Sequence, residues 1–202
     1  MARDPEATVA SILAAARVEF AAHGLAGARV DRIAARSGFN KERIYARFGD
    51  KEGLYRRVLS EMLEEMRLAT VVEDGEDVGD YVRKSFDFHS GHPELLRMLL
   101  WEALECDGDF VPDEDARRRC YARSNIALAD RLGMPAGPQT ARLLFTLIGI
   151  TAWPAAFATL GRLVAGDDTA TEEGQQALRE FLINFARTGA ETVNGLIPVK
   201  SL

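Results

Sequence analysis

The sequence predicts an all-α protein, a three-helix N-terminal unit followed by a larger helical body, with about nine helices in total. Three observations carry this. Apolar residues recur at helical spacing from one end of the chain to the other. No stretch alternates apolar and polar residues between hairpin turns. Gly, Pro, Asn and Asp fall where helices would stop and start. With 202 residues, 47% of them apolar, the chain is long enough to bury one core or two smaller ones.

The elements follow in order. Val9, Ile12, Leu13, Ala16 and Phe20 share one helical face, and Gly24 ends that helix. Val30, Ile33 and Ala34 mark a short second helix stopped by Gly38. Ile44 and Phe48 mark a third, with Asn40 as its cap and Gly49 as its stop. Asp50 caps a fourth, whose stripe is Leu54, Val58, Leu59, Met62, Leu63 and Met66. After the acidic break Glu73–Asp77 come helices over about 78–90 and, from Pro93, a sixth. Residues 105–115 read as an acidic loop, and a helix over about 114–132 leads to the linker 133–138. Two helices, about 139–161 and 172–190, close the chain.

Segment 143–161 carries no charge and is close to the length of a membrane span, about 20 residues. Its three threonines and Pro154 favour a helix buried in a protein core or oligomer interface, so no membrane partner is expected. Pro154 should bend it, because proline has no N–H for the carbonyl of Ile150. The N-terminus has no apolar segment after its charges, which predicts a cytoplasmic protein. Cys106 and Cys120 are too few for a disulfide framework and read as reduced thiols. His89 and His92 are separated by helix-breaking residues, and no carboxylate set stands at ligand spacing. Neither a metal site nor a cofactor is therefore expected.

The net charge of −6 at first argues against a nucleic-acid partner, but its distribution does not. Residues 1–52 hold nine basic and seven acidic residues, a balance of +2, which leaves −8 for the remainder. The third helix is short and has few apolar residues, so core packing alone does not account for it. Helix, short helix, turn, short helix is the helix-turn-helix arrangement, whose last helix enters the major groove of double-stranded DNA. Asn40, Lys41, Glu42 and Arg43 lie at the entering end. Arg43 suits a bidentate grip on guanine, and Glu42 can accept from a cytosine amino group. Tyr45 can reach a phosphate, and Arg29, Arg47 and Lys51 suit backbone contacts.

The stretches Phe20-Ala21-Ala22-His23-Gly24, Val30 to Gly38, and Lys41 to Phe48 with Asp50-Lys51-Glu52 resemble the tetracycline-repressor (TetR) family of bacterial transcription regulators. The resemblance covers about residues 7–60. It implies a DNA-binding domain over residues 1–52 and an effector-binding and dimerisation domain over 53–202. It implies a homodimeric regulator, most simply a repressor and not an enzyme, released from a palindromic operator by a small molecule. The chain departs from the family pattern at Ala28-Arg29, where a hydroxyl residue is usual, at Glu42, where a small one is, and at Ala46, where a histidine often stands. These departures are read as changes of operator preference.

In the C-terminal body, Phe86, Met98, Trp101, Tyr121, Phe145, Trp153 and Phe157 are candidate lining for an apolar or aromatic effector, although such residues also build ordinary cores. The helices over 139–161 and 172–190 carry more apolar surface than one antiparallel pair buries, which suits a four-helix dimer interface. The competing class is a helical-bundle enzyme or small-molecule carrier. The chain has no Glu-x-x-His pairs, no Gly-x-Ser-x-Gly elbow and no phosphate loop to support it.

Overall fold

The computed structural model describes residues 5–105 and 113–195. Cys106 and most of the acidic stretch 105–115 lie outside them. The described residues form ten α-helices and one short 3-10 turn, with no strand among them. The helices are α1 (Pro5–Gly27), α2 (Val30–Ser37), α3 (Lys41–Phe48), α4 (Lys51–Ala69) and α5 (Val78–Gly91). They continue as α6 (Pro93–Glu105), α7 (Glu114–Leu132), α8 (Pro138–Ala156), α9 (Ala158–Ala165) and α10 (Glu172–Gly195). Two compact units result: Met1–Glu65 with His92–Glu114, and Met66–Gly91 with Asp115–Leu202.

In the first unit the apolar stripe of α1 is buried as its spacing predicts, with Ile12, Ala16 and Phe20 sealed from solvent. Gly24 breaks the helix at φ 65°, ψ −176°, and Leu25–Gly27 form a separate last turn. This unit runs past residue 52. Leu54, Tyr55, Val58, Leu59 and Met62 of α4 and Leu95 and Met98 of α6 are all buried. The Phe20 and Tyr55 rings meet edge to face at 5.1 Å. The Tyr55 hydroxyl donates to the Met98 carbonyl at 3.4 Å, and Arg97 of α6 donates to the Ala21 carbonyl at 3.2 Å.

In the second unit, Val78, Val82 and Phe86 of α5 pack with Leu143, Leu144 and Leu147 of α8 and Leu182, Ile183 and Ala186 of α10. Leu128 of α7 closes the cluster. Pro138 stands at the first position of α8, where its missing N–H costs nothing, and the Thr140 hydroxyl accepts from the Gly137 N–H. The single helix expected over 139–161 is two helices, α8 and α9, meeting at 86°. Pro154 leaves the Ile150 carbonyl without its helical donor, and three residues later Phe157 departs from helical geometry at φ −125°, ψ 47°. This break accounts for ten helices where the spacing suggested nine.

Candidate nucleic-acid interface

The helix-turn-helix is built from α1, α2 and α3. The entry to α2 has no hydroxyl cap. Arg29, extended at φ −122°, ψ 121°, precedes it, and its N–H donates instead to the Glu19 carboxylate of α1 at 2.9 Å. The same carboxylate accepts from Nε of Arg32 at 2.7 Å. Burial pushes the Glu19 carboxyl up, but the Arg32 hydrogen bond, the Arg29 N–H and the charges of Arg32 and His23 outweigh it and hold the group low. The buried glutamate thus supplies the cap that the sequence of α2 lacks. Reading the sequence for DNA contacts missed this pair. The signal was there: Glu19 lies three residues after Ala16 and seven after Ile12, so it sits on the apolar stripe and needs a cationic partner.

The turn between α2 and α3 is set by Gly38, left-handed at φ 75°, ψ 20°, whose N–H closes on the Ala34 carbonyl. Asn40 then caps α3, its side-chain oxygen accepting from the Arg43 N–H at 3.0 Å. The amide NH2 of Asn40 remains for other contacts. Ile44 alone of α3 is fully buried, and it anchors the helix to the unit. Asn40, Glu42, Arg43, Tyr45 and Arg47 are exposed, as is Arg29, while Lys41 and Lys51 are half-buried. Asp50 caps α4 through the Gly53 N–H at 2.6 Å.

Three of the candidate cations have intramolecular partners. The Arg43 guanidinium lies 5.4 Å above the centre of the Phe39 ring, a contact that limits its conformations. Lys41 pairs with Asp31 of α2 at 2.5 Å, and that hydrogen bond raises its pKa. The Lys51 ammonium donates to the Ala26 carbonyl at 3.4 Å.

The candidate effector residues are spread over both units. Met98 and Trp101 belong to the first, where Met98 is core and Trp101 is half-buried. In the second, Phe86 is core and Tyr121 is exposed. Phe145 and Trp153 are 79% and 55% exposed, and the Trp153 and Phe157 rings meet at 4.2 Å at the corner of α8 and α9. Phe181 and Phe185, which spacing alone did not single out, stand exposed on α10, their rings stacked at 6.2 Å.

Comparison with known proteins agrees with this geometry. The profile of bacterial regulatory proteins of the tetR family matches residues 12–58, and that of the tetracyclin repressor-like C-terminal domain matches residues 77–188. The HTH-type transcriptional repressor SCO4008 of Streptomyces coelicolor is 39% identical over 191 residues, covering 92% of this chain and 96% of its own length. The crystal structure of the transcriptional regulator SCO4942, also from Streptomyces coelicolor, aligns with a TM-score of 0.73 at 30% identity, covering 90% of this chain and 97% of that one. TetR from Acinetobacter baumannii AYE, crystallised as a variant with minocycline, shares the fold at 15% identity and a TM-score of 0.55, over 91% and 96% of the two chains.

Proposed function

We propose a working cycle for this chain, which belongs to the tetR family of bacterial regulatory proteins and is a DNA-binding transcriptional regulator. It works as a cytoplasmic homodimer that represses transcription from a palindromic operator, and a small apolar or aromatic effector releases it. The observation that carries the DNA reading is α3 itself: one buried residue, Ile44, holds a helix whose other faces expose Asn40, Glu42, Arg43, Tyr45 and Arg47.

In this cycle the N-terminal end of α3 enters the major groove. Arg43, limited by the Phe39 ring, grips guanine through two parallel hydrogen bonds, and Glu42 accepts from a cytosine amino group. The Asn40 amide donates to a base or phosphate oxygen. Tyr45, Arg29, Arg47 and Lys51 hold the phosphates. Lys41 exchanges Asp31 for a phosphate. A dimer places two such helices about 34 Å apart, one turn of DNA. Four exposed aromatics, Phe145, Trp153, Phe181 and Phe185, support burial of α8 and α10 against a second copy. An effector that binds the second unit shifts the dimer from the operator only by its differential affinity for the two conformations.

The test is selection of bound oligonucleotides with the purified full chain. A palindrome with half-sites one helical turn apart is the expected product. Enrichment of no sequence, or of an asymmetric single site, would overturn the reading.

A further inference from the structure

The second unit buries a stripe of polar side chains on α5. Tyr81, Ser85 and His89 recur every fourth residue on α5 and share one face. They are 8%, 0% and 1% exposed. Two of the three are satisfied. Ser85 and Thr151 of α8 share a hydroxyl–hydroxyl hydrogen bond of 3.0 Å, and the Tyr81 side chain hydrogen-bonds Ser85. His89 is the exception: neither Nδ1 nor Nε2 has a hydrogen-bond partner among the described residues.

A buried imidazole with both nitrogens unpaired is costly, and a leucine or phenylalanine would fill the same volume without that cost. Its neighbourhood is aromatic. Phe86 lies one turn earlier on the same face of α5, and the Phe88 ring meets the imidazole edge to face at 6.1 Å. Burial alone shifts its titration, with no charged neighbour contributing, so the ring is neutral and offers one lone pair and one N–H on opposite edges. A charged ligand would find no counter-charge here and would lose its hydration. An uncharged one with a hydroxyl satisfies the ring nitrogen and keeps its apolar body among the phenylalanines.

We propose that His89 is the polar anchor of the effector site, and that the effector class is an uncharged aromatic molecule bearing a hydroxyl, which donates to the unprotonated nitrogen of His89. This rests on the effector-release reading above and narrows it. Neither the anchor nor the ligand class follows from the family match.

The matched probes 2-naphthol and naphthalene test it on the full chain. The wild type should bind 2-naphthol about tenfold more tightly than naphthalene. His89→Phe should bind the two within about twofold of each other, and His89→Gln, which keeps a polar amide, should restore part of the preference. In 15N-histidine-labelled protein, 2-naphthol should move the ring-nitrogen resonance that is missing from His89→Phe. A preference for 2-naphthol undiminished in His89→Phe, an unmoved resonance, or no binding of 2-naphthol to the wild type overturns the assignment. Operator affinity measured in the same samples separates the two levels. Release by 2-naphthol that is indifferent to residue 89 leaves the effector cycle standing and removes the anchor. Binding that depends on His89 but leaves operator affinity unchanged keeps the site and removes the release step.

Discussion

Glu19 Oε1 lies 2.7 Å from Nε of Arg32, so a buried carboxylate of α1 holds the side chain of an arginine in the first turn of α2. Since the same oxygen also receives the Arg29 N–H, one group fixes both the start and the orientation of the helix on which α3 rests. Glu19→Ala leaves that N–H and the guanidinium without their acceptor. A fall in Tm of roughly 5 °C is expected, with operator binding lost at a lower temperature than in the wild type. Unchanged thermal unfolding followed by circular dichroism would show that the clamp is dispensable.

Arg43 and Lys51 should fail differently. If Arg43 reads a base as proposed, Arg43→Ala should cost about tenfold or more in operator affinity while relaxing the preference at one base pair of each half-site. Lys51→Ala should weaken binding to all sequences alike. It should also flatten the slope of log affinity against log salt by about one for each phosphate that Lys51 neutralises. Competition binding over a salt series distinguishes them. Weaker binding by Arg43→Ala with base preference intact would remove that residue from readout.

Gly24 combines a backbone open to glycine with a crowded site. A Cβ there would fall 2.2 Å from Oε1 of Glu105, whose other oxygen accepts from the N–H groups of Leu25 and Ala26. At φ 65°, ψ −176° any other residue is strained, so Gly24→Ala should destabilise by about 1–3 kcal/mol in urea unfolding. Adding Glu105→Ala removes the closest contact but neither the strain nor the 3.0 Å approach to the Trp101 ring, so it should recover little. Full recovery would assign the cost to the carboxylate instead.

His89 makes stability depend on pH. Burial depresses it from 6.5 to about 4, so between these values the unfolded chain takes up a proton that the folded chain refuses. Stability therefore rises with pH across this window. Acidifying through it should remove on the order of 3 kcal/mol at most, fully present above pH 6.5. Glu19, held low, loses its contribution only below the ordinary carboxylate range. His89→Phe should flatten the slope from pH 6.5 to 4 and leave the acid limb in place. Urea unfolding at a series of pH values measures both.

The exposed rings of α10 should matter only to assembly. Phe181→Asp with Phe185→Asp places two charges on that face without touching buried Leu182 or Ile183. Sedimentation should report a monomer with native helix content, and operator affinity should fall because one half-site alone is gripped. A variant that stays dimeric would move the interface elsewhere.

Much of the fold was legible because helical spacing and end signals are local. The stripes of α1 and α4, the stop at Gly24, and the caps Asn40 and Asp50 all stand where the spacing puts them. Pro154 was readable as a bend, but its result at Phe157, an 86° corner, was not. How far a helix continues past a proline depends on what the next turn packs against. The exposure of α3 was legible for a related reason: a short helix with a single buried apolar anchor, Ile44, leaves most of its other side chains in solvent.

By itself the sequence determined the helices, their caps and the polar face of α3, since each depends on residues within about four positions of one another. Only the tertiary structure decided which of those groups are free. It paired Lys41 of α3 with Asp31 of α2. It assigned Glu19 to cap a helix that begins eleven residues later, and it buried His89 with no partner for either nitrogen among the described residues. Burial and pairing are set by groups that folding brings together from separate helices, and periodicity along one helix does not encode them.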